Sequence, residues 1–351
     1  MTNRVLVTGG AGFIGSHLCE HLVERGDEVW ALDNFDDFYS PAQKRRNLSS
    51  IASAPDLHVV EGDVRDSVLL GGLFTDVGID EVVHLAARPG VRASIDDPER
   101  CYEINVRGTV RLLESMQRHD VRRLMLSSSS SVYGRGGTPP FSEDEAADRP
   151  LAPYAASKRA SELVSHAYHG LYGFSVHCLR LSTVYGPRQR PDLALHRFAR
   201  LMESGAPVPV YGEESVLRDY TFVGDAVRAM ILSVERLRST DGSDYQIINV
   251  GRSEPIRLDE LIGKLGTAMG IEPTIDHRPG RPGDAAAVYA STEKARDFLG
   301  FSPEVGLETG LERFVDWYRS ESALADSGRS ENGAAGDPAD VKEVASKRAN
   351  R

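Results

Sequence analysis

Cysteine is scarce in this chain of 351 residues. Its three cysteines, Cys19, Cys101 and Cys178, are widely spaced and form no pairwise motif. Disulfide frameworks and cysteine-ligated metal sites are recognised by recurrent paired spacings, so the sequence supports neither. We therefore expect reduced thiols, a cytoplasmic location and no bound metal ion.

Positive charge is also in deficit, because 41 Lys and Arg face 52 Asp and Glu, for a formal net charge of -11. General binding to nucleic acid or to an anionic membrane needs clustered positive charge, so neither is expected. An anionic substrate must then be met by local arginines. The sequence shows no signal-peptide pattern, and none of its apolar runs is long enough to span a bilayer.

Aromatic residues are missing from residues 321–351, which are mostly Ala, Ser, Gly, Asp, Glu and Arg. Such a segment buries too little apolar surface to offset the entropy lost on ordering. We therefore predict a disordered tail over residues 321–351.

A glycine-rich turn follows the first apolar run. Residues 4–7 predict a strand, and Gly9, Gly12 and Gly15 then come three residues apart before a helical apolar pattern. This order is required for a dinucleotide site, where glycines permit a tight turn and the helix N-terminus receives phosphates. A second strand ends at Asp33, whose carboxylate suits the ribose hydroxyls of NAD and repels the additional phosphate of NADP.

Strands and helices alternate as far as residue 181. This alternation predicts an α/β fold with a Rossmann-type, doubly wound parallel sheet whose ligands bind at the carboxyl ends of the strands. Asn105 lies within a predicted helix, where it serves equally well as a buried structural amide or as a cofactor contact. The residues predicted to bind the cofactor are Gly9, Gly12, Phe13, Ile14, Gly15, Asp33, Asn34, Asp63, Val64, Leu85, Ala86, Ala87, Asn105, Tyr154 and Lys158.

The texture changes after residue 181 to loops rich in Pro, Gly and Arg. We predict an NAD-binding domain over residues 1–181 and a smaller domain, mainly for substrate, over residues 182–320. Residues 245–250 read as one more buried strand that returns to the main sheet, so the two domains interleave.

Tyr154 and Lys158 are four residues apart near the start of a predicted helix. Positions i and i+4 share one helix face, so the phenol and the ammonium point into the same space. A nearby positive charge favours the phenolate and lowers the pKa of a tyrosine toward the range of a general base. The alternative is an ordinary helix with a packed tyrosine and a solvated lysine, and the pair alone does not exclude it.

Four phrases carry a family resemblance. They are residues 32–39 (LDNFDDFY), 84–92 (HLAARPGVR), 184–192 (VYGPRQRPD) and 218–223 (RDYTFV). Together with the glycine turn and the Tyr154 and Lys158 pair, they resemble the extended short-chain dehydrogenase/reductase family of nucleotide-sugar enzymes over residues 3–320. Within that family the chain is most similar to the UDP-glucuronate 4-epimerases.

The resemblance implies a catalytic Ser, Tyr and Lys with NAD as the cofactor, and a homodimer. Five consecutive serines, at 127–131, leave the catalytic serine ambiguous from spacing alone; the resemblance selects Ser129, four residues before Tyr133. Similar 4,6-dehydratases carry Asp and Glu just before the Val-Tyr-Gly phrase, and similar decarboxylases carry Glu. Ser130 and Ser131 stand there instead, which favours oxidation and re-reduction at a single carbon.

The expected reaction is therefore NAD-dependent 4-epimerisation of UDP-glucuronate to UDP-galacturonate through a transient 4-keto sugar. Ser130, Ser131, Thr183 and Arg190 are expected to orient the sugar carboxylate, since arginine grips a carboxylate with two prongs. Similarity to related enzymes assigns Arg218 and Arg281 to the diphosphate, although each of these arginines could also be a solvated surface charge. The open alternatives are 4-epimerisation of UDP-glucose or another neutral nucleotide hexose, decarboxylation of UDP-glucuronate, and a non-catalytic NAD-binding regulator.

Overall fold

The fold is described here from a computed structural model, which covers residues 2–135, 138–212, 217–280 and 287–331. Its longer strands contain short apolar runs, such as residues 5–7 in the first strand and residues 124–126 in the fifth. The strands are β1 Arg4–Thr8, β2 Glu28–Asp33, β3 Leu57–Glu61, β4 Glu81–His84, β5 Arg123–Ser129, β6 Ser175–Leu181, β7 Thr183–Tyr185, β8 Val208–Tyr211, β9 Leu217–Arg218, β10 Tyr220–Phe222, β11 Tyr245–Val250, β12 Ile256–Arg257, β13 Ile275–Arg278 and β14 Ala287–Val288.

Seven of these strands form the central sheet, in the order β3-β2-β1-β4-β5-β6-β11. Every neighbouring pair is parallel. Parallel strands covered on both faces are buried along their whole length, and all seven residues of β6 are buried. The strand order reverses between β1 and β4, and ligands bind at this switch point in doubly wound sheets. The predicted Rossmann-type fold is confirmed.

Helices cover both faces of the sheet. They are α1 Phe13–Glu24, α2 Pro41–Asn47, α3 Ser67–Gly72, α4 Val91–Asp96, α5 Pro98–Tyr102, α6 Gly108–Arg118, α7 Pro153–Tyr172, α8 Ala194–Glu203, α9 Val223–Ser239, α10 Leu258–Met269, α11 Glu293–Leu299 and α12 Leu307–Glu331. Helices α3, α6 and α7 pack on one face, whereas α1 and α9 pack on the other. Within the described ranges, we find no helix long and apolar enough to cross a lipid bilayer.

A smaller unit closes over the carboxyl ends of the strands. It combines the short sheets β7/β10, β8/β13 and β12-β9-β14 with α8, α10 and α12. β11 belongs to this part of the sequence, but it pairs with β6 at the edge of the main sheet. One apolar core joins Leu18 of α1 and Met230 of α9 to Leu261 of α10 and Phe314 of α12. The two units are therefore packed together and interleaved in sequence.

The C-terminal tail differs from expectation at its beginning. α12 runs to Glu331, so the predicted tail, which starts at residue 321, begins inside a helix. Glu321 is held at this point by Arg46, whose Nη2 donates to its Oε2 at 2.9 Å. A shortage of apolar residues argues against burial, but Ala, Glu and Arg are good helix formers and extend an anchored helix. Residues 332–351 lie outside the described ranges.

Candidate active site

A cavity of about 500 Å³ opens where the strands of the central sheet end. The ends of β1, β2, β4, β5 and β6 form its floor, and β7, β9 and the loop before α8 contribute its far wall. The predicted residues that line it are Gly9, Gly12, Phe13, Ile14, Gly15, Asp33, Asn34, Asp63, Val64, Leu85, Ala86, Ala87, Ser129, Ser130, Ser131, Tyr154, Lys158, Thr183, Arg190 and Arg218.

Close backbone contacts shape the turn between β1 and α1. Gly9 has a φ of +72°, and a Cβ at Gly15 would lie 2.1 Å from the Gly9 carbonyl oxygen. Gly12, the N-cap of α1, has no side chain to accept hydrogen bonds from the first turn. The N–H groups of that turn are therefore left for an anionic ligand, as the diphosphate of a dinucleotide requires.

Asp33 ends β2 beside this turn and is fixed by its neighbours. Its carboxylate accepts hydrogen bonds from the backbone N–H groups of Ala11 at 3.2 Å and Phe35 at 2.8 Å. Lys44 Nζ lies 3.6 Å from the same carboxylate and lines the cavity, although nothing in its local sequence distinguishes it from a surface lysine. The glycine turn and the fixed carboxylate together fit NAD.

Asp63 follows β3 at the rim of the same end of the cavity. Asn34 Nδ2 donates to it at 3.1 Å, and Arg65 donates from Nε and Nη2 at 2.8 Å each. The hydrogen bonds from Arg65 lower the pKa of Asp63 to about 2. Asp63 therefore stays ionised and held in place across the physiological range.

Asn105 does not line the cavity, in contrast to its predicted cofactor contact. Its Oδ1 accepts from the Arg88 N–H at 2.6 Å, and its Nδ2 donates to Ser157 Oγ at 2.8 Å and to the Arg88 carbonyl at 3.2 Å. The amide is thus hydrogen-bonded to the loop after β4 and to α7, and it lies outside the cavity lining. Of the two alternatives, this arrangement favours a structural amide.

The serine run joins the end of β5 to a short 3₁₀ turn, Ser130–Tyr133. Ser129 Oγ accepts hydrogen bonds from the N–H of Ser131 at 3.2 Å and from its hydroxyl at 2.9 Å. Lys158 Nζ donates to the Ser127 carbonyl oxygen at 2.7 Å. Helix α7 therefore meets the serine run directly, and Ser129, Tyr154 and Lys158 face one cavity.

The electrostatics around Tyr154 differ in detail from the prediction. Burial raises the pKa of Tyr154, while the charge of Arg190 and the Ser129 hydroxyl oppose that rise. Burial also lowers the pKa of Lys158 to about 8. The positive charge that opposes the rise in the pKa of Tyr154 is thus that of Arg190, a residue that the sequence had not connected with this tyrosine.

Two arginines flank one aromatic ring on the substrate side. The guanidinium of Arg88 lies 4.4 Å from the centre of the Phe38 ring, and that of Arg190 lies 5.8 Å from it. Arg88 donates to Asp36 at 2.9 Å, and Arg190 donates to both carboxylate oxygens of Asp192 at 2.9 and 3.0 Å. Arg88, Phe38 and Asp36 also line the cavity, yet only the phrases that carried the resemblance had drawn attention to them.

The other arginines of the substrate side divide into two groups. Arg218 of β9 lines the cavity, whereas Arg188 points to α1 and makes a two-pronged contact with Glu20 at 2.7 Å. Arg188 therefore ties the two units together. Arg281, the second predicted diphosphate ligand, lies outside the described residues.

Comparisons with known proteins place this geometry in a family. Residues 5–251 match the model of the NAD dependent epimerase/dehydratase family. A UDP-glucuronate 4-epimerase from Thermodesulfobacterium geofontis is 36% identical over 323 residues, covering 92% of this chain and 98% of that protein.

Solved structures of similar enzymes share the fold. The UDP-glucuronic acid 4-epimerase of Bacillus cereus, in complex with UDP-glucuronic acid and NAD, is 33% identical with a TM-score of 0.84, covering 91% of this chain and 99% of its own. A dTDP-glucose 4,6-dehydratase from Streptomyces venezuelae with NAD bound is also 33% identical, with the same TM-score and coverage of 92% and 98%. Overall shape therefore does not separate the two reactions. Because residues 5–251 match the family model and the chain is similar to these enzymes, it belongs to the NAD dependent epimerase/dehydratase family.

Proposed function

We propose that this chain is an NAD-dependent epimerase that interconverts UDP-glucuronate and UDP-galacturonate through a transient 4-keto sugar. The observation that carries the proposal is a cavity in which Ser129, Tyr154 and Lys158 adjoin the uncharged Ser130 and Ser131. Among the described lining residues, the carboxylates are Asp33, Asp36 and Asp63, and each is paired with a cation. None of them stands at the serine run, where an elimination would need an additional acid or base.

Tyr154 is the proposed general base and acid. As a phenolate it takes the proton of the sugar 4-hydroxyl, and it returns a proton when the ketone is reduced again. Ser129 donates a hydrogen bond to the same sugar oxygen, and Lys158 holds a positive charge behind the phenolate. NAD bound in this cavity supplies the hydride acceptor for the oxidation and the donor for its reversal.

Arg190 is the proposed recognition group for the sugar carboxylate. Asp192 accepts hydrogen bonds from Nε and Nη2 of Arg190. The sugar carboxylate would therefore accept hydrogen bonds from Nη1 and from the second proton of Nη2. A 4-keto uronate is a β-keto acid, which loses CO₂ when the breaking bond aligns with the carbonyl π system. Arg190, with Thr183, Ser130 and Ser131, holds the carboxylate out of that alignment, while Arg218 binds the diphosphate.

We also propose a homodimer formed through α4, α5 and α7. These helices pack beside one another, and they expose the apolar side chains of Ile95, Tyr102 and Leu163 by 48%, 41% and 54%. Exposed apolar side chains on adjoining helices suit a helix-to-helix contact with a second copy. The three cysteines are free and buried, which supports a reducing compartment such as the cytoplasm.

The test is proton NMR of the purified protein with UDP-glucuronate, first without added cofactor and then with NAD. We expect signals of UDP-galacturonate to grow, with no CO₂ released. A parallel incubation with UDP-glucose distinguishes a neutral-sugar epimerase, and a pentose product would identify a decarboxylase. If the spectrum of UDP-glucuronate stays unchanged even with added NAD, the proposed reaction is wrong.

A further inference from the structure

Helix α7 holds the serine run at two consecutive residues. Lys158 Nζ donates to the carbonyl oxygen of Ser127 at 2.7 Å. One helical turn later, Glu162 accepts a hydrogen bond from the hydroxyl of Ser128 at 2.5 Å. Ser129 is the next residue along the chain, so its place depends on both contacts.

Glu162 is itself fixed from β6. Arg180 donates to it from Nε and Nη2 at 2.9 Å each, and both side chains are fully buried. Arg159 adds a third donor at 2.8 Å. Burial alone would raise the pKa of Glu162, but the hydrogen bonds and charge of Arg180 lower it below its ordinary value, so the carboxylate stays ionised.

Arg180 also contacts the far end of the serine segment, by which we mean residues 127–133. Its guanidinium lies 4.8 Å from the centre of the Tyr133 ring. Its Nη1 has no hydrogen-bond partner among the described residues, which leaves the ring face as its remaining contact. The Tyr133 hydroxyl donates to Asn249 Oδ1 of β11 at 2.7 Å. The segment from Ser127 to Tyr133 is therefore held near both ends by one buried network.

Neither Glu162 nor Arg180 lines the cavity. An ion pair this deeply buried is weak evidence for added stability, because the desolvation of both charges offsets their attraction. The position of the ion pair indicates its role, because it contacts Ser128 before Ser129 in the chain and Tyr133 after it.

We propose that the Glu162 and Arg180 ion pair is a positioning unit, which fixes Ser129 against Tyr154 through Ser128 on one side and Tyr133 on the other. The inference rests on the proposed function, because it assigns Ser129 and Tyr154 to the chemical step. Glu162 and Arg180 act through other residues and do not touch the substrate.

The test compares Glu162→Gln and Ser128→Ala with Ser165→Ala. Ser165 is the matched control: it is a fully buried serine on the same helix whose hydroxyl donates to the Glu162 backbone carbonyl at 2.8 Å, away from the serine run. We expect Glu162→Gln to lower kcat about 100-fold, as a displacement of about 1 Å does, with KM for UDP-glucuronate little changed. Ser128→Ala should lower kcat less, and Ser165→Ala should match wild type.

The pH profile separates positioning from simple loss of packing. The Ser129 hydroxyl helps to lower the pKa of Tyr154, as does the charge of Arg190, while Cys101 faces the tyrosine with the opposite effect. Displacing Ser129 therefore moves the acid limb of the kcat profile to higher pH. A structural defect that reduced the amount of folded enzyme would leave that limb in place.

Each outcome decides the inference. If folded Glu162→Gln keeps the kcat and the pH profile of wild type, the positioning inference is wrong. Turnover of UDP-glucuronate by the wild-type enzyme still supports the proposed function in that case. If Glu162→Gln does not fold, Ser128→Ala decides, because it removes only the link between the ion pair and the serine run. An equal loss in Ser165→Ala also overturns the inference, and a wild-type enzyme without turnover overturns both proposals.

Discussion

The two walls of the cavity are built by different means. The cofactor wall consists of the glycine turn, residues 9–15, and the ends of β2, β3 and β4, and backbone groups set its shape. Gly15 lies against a carbonyl, and backbone N–H groups fix the carboxylate of Asp33. The substrate wall, residues 183–193 with Arg218, is shaped by ion pairs such as Arg190 with Asp192.

The contrast indicates which parts of the enzyme can change independently. Backbone packing leaves no room for a larger residue at Gly9 or Gly15, so a substitution at either position must displace the turn itself. An ion pair on a loop can be exchanged without disturbing the sheet. If Arg190 recognises the substrate as proposed, substitutions on the substrate wall should change substrate choice without changing NAD binding, and the variants below separate the two walls.

The largest effect is expected at the cofactor wall, from Gly15→Ala. The new Cβ would lie 2.1 Å from the Gly9 carbonyl oxygen and must displace the turn. We expect complete loss of NAD binding in calorimetric titration, together with a lower melting temperature. Gly170→Ala is the control, because Gly170 lies in α7 with open space around its Cα, and alanine there should be neutral or stabilise by about 0.5–1 kcal/mol. NAD affinity at the wild-type level in Gly15→Ala would contradict this account of the turn.

The second prediction concerns Tyr154, where the two walls meet. Tyr154→Phe removes only the hydroxyl, so we expect kcat to fall by roughly 1,000-fold, within the range for a lost general base, while NAD still binds. Tyr172→Phe, a half-exposed tyrosine at the end of the same helix, should leave kcat unchanged. Steady-state turnover of UDP-glucuronate measures both variants. Turnover of Tyr154→Phe close to wild type would remove Tyr154 from the chemistry.

The third prediction is a pH dependence of stability at Lys158. Burial lowers the pKa of this lysine from its ordinary 10.5 to about 8 in the folded chain. Between pH 8 and 10.5 the unfolded chain binds a proton that the folded chain does not, so stability rises with pH across that window. Below pH 8 both states hold the proton and the full destabilisation, of the order of 3 kcal/mol, is present.

Lys158→Met lacks this titration. In NAD-free protein, the free energy of unfolding of the variant minus that of wild type should therefore be largest below pH 8 and should narrow toward pH 10.5. Denaturant titrations at several pH values measure the difference, and groups common to both proteins cancel. A difference that stays constant with pH would show that Lys158 is not desolvated as the fold implies.

The sequence was sufficient to predict a parallel sheet, because the patterns that indicate its strands and helices are local. Seven short apolar runs separated by helical patterns predict parallel strands, and the glycine turn orients them. The smaller unit was predicted less completely, since β8, β9, β12, β13 and β14 are two to four residues long and pair across large sequence distances. Strands that short carry no usable periodicity.

The site was also predictable where local sequence patterns marked its residues, and not where tertiary contacts brought them together. Asp33 and Tyr154 belong to local patterns of the sequence, and both line the cavity, whereas Lys44 has no such pattern and enters the cavity only through the tertiary fold. Asn105 was ambiguous because a buried amide and a ligand contact look alike in a helix, and only its hydrogen bonds distinguish them. The role of Arg190 in the electrostatics of Tyr154 likewise depends on two segments meeting in space.

The smallest expected effect, and the sharpest test of the two walls, is a loss of discrimination at Arg190. Arg190→Ala should lower kcat/KM for UDP-glucuronate by roughly 10- to 100-fold, the usual worth of a charge-assisted pair of hydrogen bonds, and should leave NAD affinity intact. Any turnover of UDP-glucose should not fall in parallel, because that sugar has no carboxylate. Arg200→Ala, an exposed arginine of α8 outside the cavity, is the charge-matched control.

Arg190→Lys then separates the two effects of this side chain. The charge of Arg190 opposes the rise in the pKa of Tyr154, so Arg190→Ala should also move the acid limb of the kcat profile to higher pH with either sugar. Lysine keeps the charge but lacks the fork, so it should restore the pH profile without restoring the preference for the uronate. If Arg190→Lys restores both, charge alone selects the substrate; if Arg190→Ala changes neither, the substrate wall recognises the carboxylate elsewhere.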